Sequence, residues 1–185
     1  SVHPNDKGHE YVAKFITTYL ESVLKEVPVD GNLPAVKYEL PKPKTTDLFQ
    51  NTEFITSQTC VPFNNTGWSS DMKGGIYGGF FGNGWFCNQP GSVLEFQVEG
   101  TAFGVVYHHV KGDTGMIEVT VDSGEPVKID AYFASDWGGG FPKWQLVAKD
   151  LKPGLHNVSI KLLEEKNEKS GGNNFRFMAL TAAGQ

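Results

Sequence analysis

From Ser92 to Phe133 apolar and polar residues alternate with period two, the mark of strands that bury one face and expose the other. Leu94, Phe96 and Val98 share a face against Glu95, Gln97 and Glu99. Phe103, Val105 and Tyr107 form the next set, followed by Ile117, Val119 and Val121 against Glu118 and Thr120. Val127, Ile129, Ala131 and Phe133 continue the pattern against Lys128, Asp130 and Tyr132. Glu99-Gly100-Thr101, Lys111-Gly112-Asp113 and Asp122-Ser123-Gly124 break it with the residues that tight turns require. Short strands at this spacing, each apolar on one side, predict two antiparallel sheets packed as an all-β sandwich.

The flanks are patterned differently. Tyr11, Val12, Phe15, Ile16, Tyr19, Leu20, Val23 and Leu24 recur at three- and four-residue intervals, which predicts one amphipathic helix over 5–26 capped by Asn5 or Asp6. Pro28, Pro34, Pro41 and Pro43 with Asp30-Gly31-Asn32 then predict an extended linker. Val36, Tyr38 and Leu40 alternate within it and could add an edge strand. Three segments are therefore expected: a helical end over 1–26, a Pro-rich linker over 27–47, and a β-sandwich over 48–185. Phe54 and Ile55 suggest its first strand. His156, Val158, Ile160 and Leu162 share one face of a late strand, Glu164–Asn174 forms a polar loop, and Phe175–Ala182 closes the sandwich near the first strand.

Two glycine-rich stretches interrupt the alternation: Asn64–Asn88, with Trp68, Tyr77, Phe80, Phe81, Trp85 and Phe86, and Asp136–Trp144, with Trp137 and Phe141. Both read as loops. Glycine lets backbone turn sharply or approach closely, and so many rings compete for limited core space.

Composition narrows the function. The net charge of −5, with no Lys/Arg run, gives no attraction to nucleic acid or to an anionic membrane surface. No apolar run is long enough to span a bilayer. The first residues lack a basic-then-apolar leader, and the chain reads as a piece of something longer. Cys60 and Cys87 enclose the first glycine-rich loop; a disulfide suited to a secreted protein and two buried thiols explain them equally well. No cofactor is implied, and no metal site: His108 and His109 are neighbours in a strand and point to opposite faces.

Ser1-Val2-His3-Pro4-Asn5-Asp6-Lys7-Gly8-His9, followed by the amphipathic helix, resembles the last motif block of the SGNH (GDSL-type) esterases over residues 1–24. The resemblance implies that His3 is the general base of a Ser–His–Asp triad whose other members, and whose catalytic domain, lie upstream. Without nucleophile or oxyanion donors an imidazole has almost no catalytic power, so this chain alone is not expected to be an esterase. Over about 50–182 the Gly-rich lead, the hairpin Val121-Asp122-Ser123-Gly124 and the run Leu151–Val158 resemble the jelly-roll modules attached to SGNH carbohydrate esterases, and some carbohydrate-binding sandwiches. That implies a secreted, polysaccharide-directed protein.

Sugar rings present apolar C–H faces that stack on flat aromatics, while polar neighbours fix the hydroxyls. Trp137, flanked by Asp136 and glycines, is the first candidate for such a platform, with Trp85, Trp68, Trp144 and Tyr77 beside it. Asp71, Asn83, Asn88 and Gln145 are nearby polar groups. The bland alternative, for each indole, is a place in the sandwich core. For the module as a whole, the alternative is a structural accessory to the upstream domain.

Overall fold

A computed structural model describes residues 3–27, 41–42, 44, 46–70, 82–134, 136 and 139–184. The chain divides into two units, Ser1–Pro43 and Lys44–Gln185. Most of the 27–47 linker, including the alternating Val36, Tyr38 and Leu40, lies outside the described residues.

The first unit holds one helix, α1 (Asp6–Leu24). Asn5 caps it: its side-chain oxygen accepts the Gly8 N–H at 2.9 Å, satisfying one of the free donors of the first turn. No residue of α1 is buried, and Tyr11, Phe15 and Tyr19 stand on its exposed apolar stripe.

The second unit is built from β1 (Glu53–Ile55), β2 (Asn64–Thr66), β3 (Trp85–Cys87), β4 (Val93–Glu99), β5 (Ala102–Val110), β6 (Met116–Val121), β7 (Val127–Asp130), β8 (Gly140–Ala148), β9 (Leu155–Leu162) and β10 (Phe175–Ala183). One sheet runs β1-β10-β5-β8, with β3 also on β10, and the other runs β2-β4-β9-β6-β7. Every pairing of these strands is antiparallel. The result is a jelly-roll-like β-sandwich.

The alternation seen in the sequence is the alternation of the core. Leu94, Phe96, Phe103, Val105, Ile117, Val119, Val158, Ile160 and Leu162 are fully buried between the sheets. Trp85, Phe175 and Phe177 belong to the same core cluster.

Two features depart from the expectations, and the state of the two cysteines, left open above, is also seen. The stretch read as a second glycine-aromatic loop is a strand from Gly140 onward, β8, although Pro142 lies inside it. Proline removes a ladder donor, and β8 tolerates it as the edge of its sheet. The first glycine-rich stretch likewise contributes β2 and β3. Cys60 and Cys87 are both free thiols, and Cys87 Sγ lies 3.3 Å from the Gly67 carbonyl.

The β6–β7 turn is tied to β9 by a charged clamp. Asp122 adopts a positive φ of 52°, and its Oδ1 accepts the Asn157 N–H at 2.9 Å. His156 Nδ1 lies 2.6 Å from Asp122 Oδ2, and its Nε2 lies 2.8 Å from the Lys152 carbonyl. Both partners only accept, so the geometry favours the doubly protonated ring. The Asp122 hydrogen bond, helped by the Lys152 carbonyl, raises the His156 pKa above its ordinary 6.5. The same bond lowers Asp122 below its ordinary 3.8.

A raised folded-state pKa means that the His156 contribution is fully present below pH about 6.5 and is lost as pH rises through the higher folded value. The Asp122 contribution is present above its ordinary value and is lost as pH falls through the lower folded one. Buried His108, pushed down to about 4 mainly by desolvation, acts oppositely to His156 and favours the folded state as pH rises. Comparison with His156→Gln isolates the clamp. Between pH 6 and pH 9 the parent's melting temperature should decline relative to that of the variant, and parallel curves would refute the clamp.

Candidate functional site

The outer face of the β1-β10-β5-β8 sheet carries an aromatic shelf. On β8 the side chains of Pro142, Trp144 and Leu146 fall on one side and those of Lys143, Gln145 and Val147 on the other. Trp144 is 46% exposed. Its indole N–H donates to Thr181 Oγ1 of β10 at 3.0 Å, across the intervening strand β5.

The indole crosses β5 at Gly104, where a Cβ would lie 2.5 Å from Trp144 Nε1 and 2.9 Å from Thr181 Oγ1. Only glycine leaves the ring room to lie so close to the sheet. Phe49 meets the indole edge-on, with centroids 5.7 Å apart and planes at 87°. The turn that carries Phe49 is closed by the Gln50 N–H donating to the Asp47 carbonyl, and by Thr52 Oγ1 donating to the Phe49 carbonyl. With Phe54 of β1, these residues enclose an almost wholly apolar hollow of about 360 Å³.

The other sequence candidates fall elsewhere. Trp85 and Trp68 are core residues, 2% and 5% exposed, and are corrected from platform to packing. Trp85 stacks on Phe177 with centroids 5.4 Å apart. Trp68 packs edge-on against Phe175 and Phe177. Glycine neighbours misled here: they allow the backbone to press an indole inward as readily as outward. Trp137, Tyr77 and Asp71 lie outside the described residues.

Asp136 is exposed and bonds Lys111 Nζ at 2.5 Å, a contact that holds its carboxyl below the usual range. Asn83 uses its backbone carbonyl to accept from Ser57 N and Oγ. His3 lies exposed ahead of α1.

His109 faces Tyr107, Phe133 and Phe141, and its Nε2 donates to the Tyr132 carbonyl at 3.0 Å. His108 projects to the opposite face of β5. Among the described residues no three His, Cys, Asp or Glu side chains are grouped to hold a metal ion, and no helix is long and apolar enough to cross a membrane. Sequence reasoning missed Phe49, Phe54, Thr181 and Gly104. No local signal marks them, since they meet Trp144 only through the pairing of β10, β5 and β8 and through the turn that carries Phe49.

No protein-family model matches the chain, and no curated protein does. Among solved structures, a two-domain esterase active on acetylated mannans, co-crystallised with mannopentaose, superposes with a TM-score of 0.78 at 23% identity, covering 99% of this chain and 47% of that one. By fold, the chain matches part of a carbohydrate esterase. A second structure of a two-domain esterase active on acetylated mannans gives a TM-score of 0.77 at 22% identity, covering 99% of this chain and 48% of that one. A Paenibacillus xanthan lyase gives 0.50 at 14% identity, covering 83% of this chain and 14% of that one. The chain thus spans about half the length of the esterase structures, and at these identities the likeness is one of fold.

Proposed function

We propose that the chain is the carbohydrate-binding accessory part of a secreted carbohydrate esterase, and that it holds glycan on the Trp144 shelf. The observation that carries this reading is the exposed indole fixed flat over Gly104 by its bond to Thr181. A fixed aromatic plane offers the C–H face of a sugar ring a stacking surface. The shared fold with an esterase active on acetylated mannans makes mannans the first glycans to try. The SGNH-like run around His3 supports a parent of that class, in which His3 is the general base working with a nucleophile from the upstream catalytic domain.

The test is titration calorimetry against acetylated and deacetylated mannan, xylan and cellulose oligomers, with Trp144→Ala beside the parent. Loss of one stacking ring should weaken binding roughly ten- to hundredfold, about 1–3 kcal/mol. Absence of binding to every glycan, or full affinity in a folded Trp144→Ala, would overturn the reading.

A second reading is favoured by one observation. The Thr52 and Thr181 hydroxyls are already bonded within the shelf, so it offers a ligand few polar partners. On that reading the shelf is a packing surface for the upstream domain, and the module is a structural accessory. Glycan binding that is indifferent to Trp144 would support it.

A further inference from the structure

Away from the shelf, a second cavity of about 460 Å³ opens beside the loop between β1 and β2, with Ser57, Cys60, Asn65, Trp68, Ser70 and Trp85 in its wall. We infer that this cavity binds a single neutral sugar unit through an oxygen that accepts the Trp68 indole N–H. The inference rests on the carbohydrate reading above and adds to it a site that, among the described residues, shares none with the Trp144 shelf.

Trp68 carries the argument. Its backbone is clamped on both sides by Asn65, whose Oδ1 accepts the Trp68 N–H and whose Nδ2 donates to the Trp68 carbonyl, each at 3.0 Å. Phe175 and Phe177 hold its ring edge-on. The side chain is therefore fixed and 5% exposed, yet its Nε1 makes no hydrogen bond among the described residues. A buried donor without an acceptor is uncommon in folded proteins, because its lost hydration is not replaced.

The cavity beside it supplies room for the missing acceptor. Its volume lies within the range of roughly 300–1,000 Å³ usual for small-molecule sites, toward the small end. Among the described residues, its wall contains no Asp, Glu, Lys, Arg or His, so none of them compensates a charged ligand. What it does offer is serine hydroxyls, two indoles and the apolar surfaces of Val61 and Pro62. Those match a neutral ring with oxygens on its rim. A sugar hydroxyl and an O-acetyl carbonyl are both suitable acceptors, and the experiment separates them.

Cys60 provides the readout. The protein has two cysteines, and Cys87 is 1% exposed, so a thiol reagent added to the folded chain reports Cys60 in the cavity wall. The rate of labelling is measured on the full chain with mannobiose, xylobiose, and acetylated and deacetylated manno-oligosaccharides of equal length. Bound sugar should slow labelling severalfold. Trp68→Phe, which keeps a ring but lacks the N–H, should require at least tenfold more sugar for the same protection. Val61→Trp narrows the cavity from an exposed position and should abolish protection without touching the core, which covers the case of an unfolded Trp68→Phe.

Equal protection by both oligosaccharides assigns the hydroxyl; protection by the acetylated one alone assigns the carbonyl. If no sugar slows labelling, or if both variants are protected like the parent, the inference is overturned. Trp144→Ala distinguishes the two sites: loss of polysaccharide binding with Cys60 protection intact separates the cavity from the shelf. Trp144-dependent binding without protection defeats the cavity alone, and absence of both defeats both readings.

Discussion

Replacing Trp85 by alanine is expected to lower the melting temperature of the β-sandwich by on the order of 10 °C or more. Trp85 is 2% exposed, stacked on Phe177 at 5.4 Å and edge-on to Phe96 at 5.1 Å, where the two sheets meet. Alanine would remove the indole's burial and leave a void that the surrounding rings cannot fill without leaving their rotamers. Comparable truncations cost about 3–5 kcal/mol, a large part of the ~5–15 kcal/mol that holds a domain together. In a domain of this size each kcal/mol is worth several degrees. Calorimetry of the variant beside the parent decides the matter, and a fall of less than about 3 °C would show that the ring is not the keystone its contacts describe. Lost glycan binding in Trp85→Ala would therefore report unfolding, not recognition.

The second large effect concerns the glycine next to it. A Cβ on Gly84 would sit 2.1 Å from the Phe177 carbonyl oxygen and 2.7 Å from Met178 Cα. These are backbone atoms of β10, at the point where its pairing with β5 shifts register between Phe177 and Ala179. A flexible side chain could swing aside, but a strand bonded on both edges cannot. Gly84→Ala should therefore push β3 off β10, at a cost at or above the ~1–3 kcal/mol of ordinary overpacking. Hydrogen exchange at Trp85–Cys87 should accelerate together with the fall in melting temperature. An unchanged exchange rate with parental stability would mean that β3 is not seated as described.

Much of the sandwich was legible because strands of six or more residues display their period. Leu94–Val98, Phe103–Tyr107, Ile117–Val121 and Val158–Leu162 announce the face they bury, and each is buried there. Strands of three residues have no period to display, so β2 and β3 read as loop. The helix start was legible from chemistry alone, since Asn5 is a strong capping residue and caps.

The site was harder for a different reason. Whether an indole lies inside or outside depends on which strand pairs with which. Trp85 faces inward because β3 lies on β10, and Trp144 faces outward because β8 lies on β5. Nothing local to either residue encodes those pairings. Nor does the chain around Gly104 reveal that the residue lies beneath a ring from the next strand.

That arrangement has a thermodynamic consequence. An indole on a loop samples several rotamers and must surrender them when a ligand arrives. The Trp144 ring has already surrendered them on folding, through its bond to Thr181 and its seat on β5. Association at the shelf should thus carry little entropic penalty from the protein side. Selectivity among glycans would then arise from how well each chain's own shape matches a fixed plane, so that stiff, extended polymers are favoured over flexible ones of the same composition.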